Sequence, residues 1–240
     1  MRTSRLYFEG VLNENATITL DRDSSHYLSN VLRMKVGSVV QLFNNNDGEF
    51  LGTIVTAKKY SLAVNLTSKV STVVEEPVKI HLAASISKGD RMEYVIQKSV
   101  ELGVSQITPI FSQFSEVKIK DKVRLERKCS HWRRIARSST EQCGRFFIPI
   151  VNPPVKFDEF VANEEDLILL DPSGKDNLKS IKKNGELCLI TGPEGGFSPN
   201  EVEMARKRGH VVKLGPRILR AETAPVVALA ILQSEFGDLN

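Results

Sequence analysis

The stretch LCLITGPEGGFSPNEVEMARKRG, residues 187–209, has the pattern of a buried strand, a glycine-rich loop and a helix. Ser198, with Glu201 three residues later, forms a capping-box pattern that begins a helix. Pro199 suits the first helical position, and Gly209 is typical of a helix end. Open α/β sheets bind ligands at the carboxyl ends of their strands, so the stretch predicts an α/β fold with a ligand site at this loop.

A second loop, LGPRILRAETA at residues 214–224, follows the next β-like run and leads into the apolar helix PVVALAIL. The first loop has neither the lysine-containing Walker pattern nor the GxGxxG spacing. The two strands are expected to be neighbours, so that their loops hold one flat ligand between backbone groups and the apolar side chains of Leu214, Ile218 and Leu219. A tight structural turn is the alternative interpretation of a glycine loop taken alone.

The rest of the chain falls into two regions of different pattern. From residue 78 to 240, apolar strand-like runs alternate with helical patterns, which predicts an α/β domain with a mostly parallel sheet and helices on both faces. Residues 1–70 carry short alternating runs and a hairpin signal at Asp47-Gly48, which predicts a small β-barrel with one helical insert. Residues 71–77 lack a clear period, end in proline, and are the expected linker.

The composition is that of an ordinary globular protein, with 240 residues, 41% of them hydrophobic, and a formal net charge of +4. Ten basic but only three acidic residues fall between Lys118 and Arg145. This favours a polyanion such as RNA as partner, although a solvated helix face is the commoner meaning of a charge run. The three cysteines and four histidines fit no zinc or disulfide pattern, so no metal is expected. No apolar run is long enough to span a bilayer, and a cytoplasmic protein is expected.

The two loops closely resemble the last two signature loops of the SPOUT methyltransferases, and within them those of the RsmE family of 16S ribosomal RNA uridine-N3 methyltransferases. KGDRMEYVIQKSVELGV (88–104) and RRIARSSTEQCGR (133–145) are similar to that family's intermediate motifs, and HYLSNVLRMKVG (26–37) to its N-terminal PUA-like domain. The resemblance covers essentially the whole chain. It implies a trefoil-knotted α/β domain, which periodicity would not predict because knots are nearly absent from proteins. It also implies S-adenosylmethionine as methyl donor, a homodimer, and N3 of uridine 1498 in the small ribosomal subunit as target.

Residues are carried over from the family where its motif matches. Methylation of a uracil N3 requires loss of the imide proton, so a carboxylate base and an arginine beside a uracil carbonyl are sought. Arg220 in the second loop and Glu141 near the end of the basic helix are the candidate catalytic residues, with Glu101 and Lys98 as alternatives; a surface ion pair is the other interpretation of each carboxylate. The expected cofactor-binding residues are Gly192, Glu194, Gly195, Gly196, Leu214, Gly215, Ile218, Leu219, Arg220, Glu222, Thr223 and Ala224.

Basic side chains of both domains are the expected contacts to RNA. A non-catalytic RNA-binding or ribosome assembly protein would need only these and the β-rich domain, whereas two intact cofactor loops favour an enzyme. A SPOUT ribose 2′-O-methyltransferase is a third possibility, and the TEQCGR segment favours the base methyltransferase by resemblance. The expected RNA-binding residues are Arg5, Arg33, Lys88, Arg91, Lys98, Arg127, Arg134, Arg137 and Arg145.

The final helical segment carries no charge from Thr223 through Gln233. A helix that is apolar on nearly every side must be covered on nearly every side, and one sheet covers only one face. The segment therefore predicts that a second copy of the chain, related by a two-fold axis, covers the rest.

Overall fold

The computed structural model describes residues 3–58, 60–115, 121–182 and 185–239. Within these residues, no helix is both long enough and apolar enough to cross a membrane.

The chain divides into two compact units by its contacts. The first comprises Met1–Glu75 together with Glu141–Phe147, and the second comprises Glu76–Thr140 together with Ile148–Asn240. The short segment 141–147 therefore packs with the β-rich unit, although its position in the chain suggested the α/β domain.

The first unit is a small β domain. Its elements are β1 Ser4–Tyr7, β2 Thr17–Thr19, helix α1 Arg22–His26 with a π-helical continuation Tyr27–Val31, β3 Val39–Asn44, β4 Gly48–Lys58 and β5 Ser61–Ser71. The described strands form a five-stranded sheet in the order β1-β3-β4-β5-β2, in which β1 is parallel to β3 and the other pairings are antiparallel. The inward side chains of the long strands β4 and β5 form an apolar core with Leu28 of the helical insert.

The turn between β3 and β4 confirms the predicted hairpin. Gly48 has a φ of +97°, and an added Cβ would collide with the backbone carbonyl of Ser71, so this position requires glycine. The Asp47 carboxylate accepts hydrogen bonds from Asn44 Nδ2 and from the backbone N–H of Leu12, both at 2.8 Å. These two donors hold the pKa of Asp47 below its ordinary value.

The second unit is built on a sheet whose seven strands, among the described residues, are all paired in parallel. The strands are β6 Ile80–Ser85, β7 Gln106–Phe111, β8 Ile150–Val151, β9 Val155–Lys156, β10 Leu167–Leu170, β11 Leu187–Thr191 and β12 Gly209–Val212. Strands β6, β10 and β11 are buried along their whole length, which is typical of the middle of a parallel sheet. The helices are α2 Arg91–Glu101, α3 Lys122–Cys143, α4 Phe157–Asn163, α5 Pro199–Arg206 and α6 Thr223–Phe236. The residues of α3 from Glu141 onward belong to the first unit.

Helices α4 and α5 pack on one face of this sheet, where their apolar residues join the core formed by β10 and β11. Helix α6 reaches the end of α2, because Gln233 Nε2 donates a hydrogen bond to the carbonyl of Leu102 at 3.0 Å. The chain segments expected to be strands and helices are thus present, while the knot implied by the resemblance stays a prediction.

One expectation about the sheet is wrong. Strands β11 and β12 are not neighbours, because β10 lies between them in the order β12-β10-β11-β6-β7-β8. Parallel strands are joined by crossovers, and a crossover can pass over a strand that is already in place, so chain order does not determine strand order. The loop after β10 therefore reaches the site that the other two loops were expected to share.

Candidate functional site

Three loops at one edge of the large sheet surround the main candidate site. They follow β10, β11 and β12, which are consecutive in the sheet, and parallel strands all end at the same edge. Together with the start of α6, the loops line a cavity of about 370 Å³. Small-molecule sites span roughly 300–1,000 Å³ and combine apolar walls with a few polar groups, and this cavity has that character.

Two glycines of the loop after β11, Gly192 and Gly196, line the cavity. An added Cβ at Gly192 would lie 3.0 Å from the Phe197 ring, and Gly196 has a φ of +69°, a left-handed conformation that favours glycine. Behind the loop, Ser198 Oγ accepts a hydrogen bond from the Glu201 N–H at 3.3 Å and Glu201 Oε2 accepts one from the Ser198 N–H at 2.8 Å. The predicted capping box is confirmed, and it anchors the loop to the first turn of α5.

The loop after β12 forms the opposite wall. Gly215 has a φ of +110°, which turns the chain at the end of the strand. The Arg220 carbonyl then accepts hydrogen bonds from the N–H groups of Thr223 at 2.9 Å and Ala224 at 3.0 Å, and these bonds begin α6. Ile218 lines the cavity although it is 87% exposed, so part of the wall is an apolar side chain that a ligand would cover.

Most of the residues predicted to bind a cofactor lie around this cavity. Four of them do not line it: Gly195, Arg220, Glu222 and Thr223. A Cβ added at Gly195 would lie 3.0 Å from Cβ of Phe114. The predicted residues that line it are Gly192, Glu194, Gly196, Leu214, Gly215, Ile218, Leu219 and Ala224.

Sequence reasoning missed the part of the wall that comes from the loop after β10. The turn signal Asp-Pro-Ser-Gly directly after the apolar run LILL could have identified that loop, because it too follows a buried strand. The other missed residues are neighbours of predicted ones within the two recognised loops. The lining residues that were missed are Leu170, Asp171, Pro172, Pro193, Phe197, Val212, Lys213, Pro216, Arg217 and Ala221.

The two candidate catalytic residues belong to different units. Arg220 is in the second unit; its side chain is 83% exposed, and its Nη1 lies 3.9 Å from Glu222 Oε1. Glu141 is in the first unit, where its Oε1 accepts a hydrogen bond from the backbone N–H of Tyr7 at 3.1 Å. The Arg220 side chain is thus exposed, and its residue lies in the chain between Leu219 and Ala221, which line the cavity. The Glu141 carboxylate holds the segment 141–147 to β1.

The alternative pair, Lys98 and Glu101, forms a surface ion pair. Lys98 Nζ donates to Glu101 Oε1 at 2.8 Å, within one turn of α2. That is the structural interpretation that the sequence left open for Glu101.

An ion pair joins the beginning of α2 to the cavity. Arg91 Nη1 donates to Oε1 of Glu194, which lines the cavity, and both side chains are partly exposed. Lys88 lies exposed three residues before Arg91, so the loop before α2 brings positive charge to this edge of the second unit.

The basic helix α3 has one buried and one charged face. Its buried residues, among them Cys129 and Trp132, recur at helical spacing, while Arg127 and Arg134 are exposed seven residues apart and hence on one side of the helix. Arg134 also lines an open cavity with the half-exposed Tyr94 of α2.

Of the basic cluster expected from the sequence, Lys118 and Lys120 lie outside the described residues. The remaining predicted RNA contacts of this region, Arg137 and Arg145, are half-buried.

Two of the predicted RNA contacts, Arg5 and Arg33, belong to the first unit, and their environments differ. Arg33 is exposed and has a φ of +54°. Arg5 instead packs its guanidinium 3.4 Å from the centre of the Phe43 ring and donates to Glu49 Oε1 at 3.1 Å. Burial lowers the pKa of Arg5, while Glu49 acts in the opposite direction. Arg5 thus has a structural role inside the first unit.

Comparisons with known proteins agree with this arrangement of domains. The model of an RNA methyltransferase domain family matches residues 74–233, and the model of an RNA methyltransferase PUA domain family matches residues 20–66. A protein of Buchnera aphidicola subsp. Schizaphis graminum named ribosomal RNA small subunit methyltransferase E is 37% identical, over 100% of this chain and 99% of the relative.

Two solved structures are similar over the full length of both chains. A Legionella pneumophila protein in complex with its cofactor S-adenosylmethionine is 40% identical, with a TM-score of 0.93. A ribosomal RNA small subunit methyltransferase E from Neisseria gonorrhoeae, also bound to S-adenosylmethionine, is 31% identical, with a TM-score of 0.90.

Proposed function

The chain belongs to the RsmE family of ribosomal RNA small subunit methyltransferases, and we propose that it methylates the N3 atom of a uridine in small-subunit ribosomal RNA, at the position of uridine 1498. S-adenosylmethionine is the methyl donor of the family. The observation that supports the proposal most directly is the cavity formed by the loops after β10, β11 and β12. Two of these loops, the ones after β11 and β12, carry the sequence motifs that resemble the signature loops of the family.

The residues around the cavity fit this cofactor. Added Cβ atoms at Gly196 and Gly215 would meet no atom within 4 Å, so the glycine backbone faces open space that a ligand can approach closely. Backbone N–H and C=O groups of the loops can recognise the edge of an adenine, and Leu214, Ile218 and Leu219 provide the apolar surface against which its faces pack.

The chemistry of the reaction assigns roles to two charged side chains. When bound, the cofactor supplies an electrophilic methyl group, and the uracil N3 attacks it well only after losing its proton. The exposed guanidinium of Arg220 stabilises the negative charge that spreads onto a uracil carbonyl oxygen. Glu141 is the proposed proton acceptor.

Exposed basic side chains of both units bind the RNA backbone in this proposal. Arg127 and Arg134 on α3, with Lys88 before α2 and Arg33 in the helical insert, are solvent-accessible positive charges. Clustered arginine and lysine side chains release counterions when they neutralise phosphates, which gives affinity without reading the base sequence.

A homodimer is part of the proposal. Helix α6 retains a half-buried apolar face formed by Val226, Val227, Ala230 and Ile231, although Ala228, Leu229 and Leu232 are buried. A second copy would cover this face. Sedimentation at low concentration should detect a dimer, and a stable, fully active monomer would contradict it.

One experiment tests the activity and distinguishes the alternatives. Small ribosomal subunits that lack the modification, and their free RNA, are incubated with the protein and S-adenosylmethionine, and the RNA is digested and analysed by mass spectrometry. We expect 3-methyluridine at the position of uridine 1498. A methyl group on a ribose would indicate the 2′-O-methyltransferase instead, and RNA binding without methyl transfer would indicate a non-catalytic assembly protein.

A further inference from the structure

Three side chains from distant parts of the chain lie close together near the amino-terminal ends of the strands of the large sheet. His81 on β6 and Cys188 on β11 are direct partners in the register of the two parallel strands, and both are buried. Glu164, just after α4, is half-buried beside them. One possible ligand atom from each residue, a ring nitrogen of His81, Sγ of Cys188 and a carboxylate oxygen of Glu164, lies within 4.8 Å of the other two.

The imidazole of His81 is oriented by a second layer of polar groups. Its Nε2 lies 2.7 Å from Thr108 Oγ1, which also accepts a hydrogen bond from Asn152 Nδ2 at 2.7 Å. The hydroxyl oxygen of Thr108 can therefore accept the Nε2 proton of a neutral imidazole. In that tautomer the lone pair of His81 Nδ1 is available, and this nitrogen lies on the side of Glu164.

The distance between the His81 ring nitrogen and the Glu164 carboxylate is too long for a hydrogen bond, but it is suitable for two ligands of one cation. His81 Nδ1 and Glu164 Oε1 are 3.6 Å apart. Bonds of about 2.0–2.2 Å from zinc to nitrogen and to oxygen bring two ligand atoms to separations of this size in a tetrahedral site. Thiolate sulfur at about 2.3 Å from zinc completes a set that calcium and magnesium, which prefer oxygen, would not select.

We propose that His81, Glu164 and Cys188 bind a zinc ion, with water as the fourth ligand. An open cavity of about 320 Å³ is lined by two of the three ligands, His81 and Glu164, and by the polar side chains of Gln106 and Asn152, so water can approach the ion from that side. The thiolate and the carboxylate balance the two positive charges of the ion. Thr108 holds the coordinating imidazole in place, as hydrogen-bond acceptors commonly do for histidine ligands of zinc.

The position of the site indicates a structural role. His81 and Cys188 are each the second residue of their strand, whereas the cofactor loops begin where the strands end. Three residues of strand, or about 10 Å, separate Cys188 from Thr191. The ion would bind two central strands to the segment after α4, and it would stabilise the sheet without taking part in methyl transfer.

Cobalt substitution of the full-length protein provides the direct test, because a cobalt ion bound to a thiolate absorbs by sulfur-to-metal charge transfer. We expect this absorption to saturate at one equivalent of Co²⁺ and to be abolished by addition of Zn²⁺. It should be lost in Cys188→Ser and retained in Cys129→Ser, a matched control because Cys129 is also buried but lies on α3.

A second variant tests the orienting hydrogen bond without removing a ligand. Thr108→Val keeps the volume of the side chain and should weaken Co²⁺ binding by about 10- to 100-fold, the usual effect of losing such a partner. Zinc should also raise the Tm of the wild-type protein and not that of Cys188→Ser.

Two results would overturn the proposal. The first is absence of the charge-transfer absorption in the wild-type protein. The second is an absorption that Cys129→Ser abolishes and Cys188→Ser preserves, which would show that these residues do not form a metal site. Methyl transfer assayed in parallel is expected to be independent of zinc, so failure of this proposal leaves the proposed function standing.

Discussion

Substitution of Gly196 by valine separates ligand binding from backbone strain. Gly196 lines the cavity with a φ of +69°, and an added Cβ would meet no atom within 4 Å. The new side chain would therefore occupy open space at the cavity wall instead of displacing protein atoms. A matched control exists in Gly89, which has a φ of +61° and equally empty surroundings but does not line this cavity.

The two variants should be destabilised alike. A left-handed conformation costs a residue with a side chain about 1–2 kcal/mol. For a chain of this size, each kcal/mol lowers Tm by about 2–4 °C. The strain is present in the free and the ligand-bound protein, so it cancels in the affinity for S-adenosylmethionine.

Affinity for the cofactor should differ between them. The valine in Gly196→Val occupies space that the cofactor needs, and loss of one close backbone contact costs about 1.4 kcal/mol or more, which is tenfold in Kd. We expect isothermal titration calorimetry to show at least this loss in Gly196→Val and a Kd near that of the wild type in Gly89→Val. Equal affinities in the two variants would refute the assignment of the cavity to the cofactor.

Three further predictions concern RNA binding, catalysis and acid stability. Arg127→Glu combined with Arg134→Glu should weaken RNA binding and reduce the slope of log K against log salt by about 1 per lost phosphate contact, while calorimetric cofactor affinity stays unchanged; an unaltered slope would return both residues to a solvated helix face. Arg220→Ala should lower kcat far more than RNA affinity, because charge stabilisation is needed mainly in the transition state, and full turnover would remove Arg220 from the mechanism. Asp47→Ala should cost about 1–3 kcal/mol at neutral pH through loss of two hydrogen bonds to a carboxylate. Because the folded pKa of Asp47 is lowered, this difference in unfolding free energy should be present above the unfolded pKa and shrink as pH falls through the folded one, which urea titrations at several pH values measure.

Local features of the fold could be predicted because their causes are local. The capping box at Ser198 and Glu201 and the hairpin at Asp47-Gly48 depend on residues a few positions apart, and both are confirmed. The parallel sheet could be predicted because fully buried strands leave continuous apolar runs in the sequence.

Contacts between distant segments could not be predicted in the same way. The placement of β10 between β11 and β12 brings Leu170, Asp171 and Pro172 to the cavity, and nothing near those residues in the chain refers to the other two loops. The basic residues show the same limit, since a count of arginines cannot distinguish exposed Arg134 from Arg5, which is packed against Phe43.

The sequence by itself determined the family, the cofactor class and the two glycine-containing loops. Each of these depends on a contiguous motif, and the residues of such a motif set the local backbone conformation themselves. Only the tertiary structure decided which third loop completes the cavity and that His81, Glu164 and Cys188 meet. The physical reason is that strand order and side-chain meetings arise from packing the whole sheet, in which His81 and Cys188, more than a hundred residues apart in the chain, become partners on neighbouring strands.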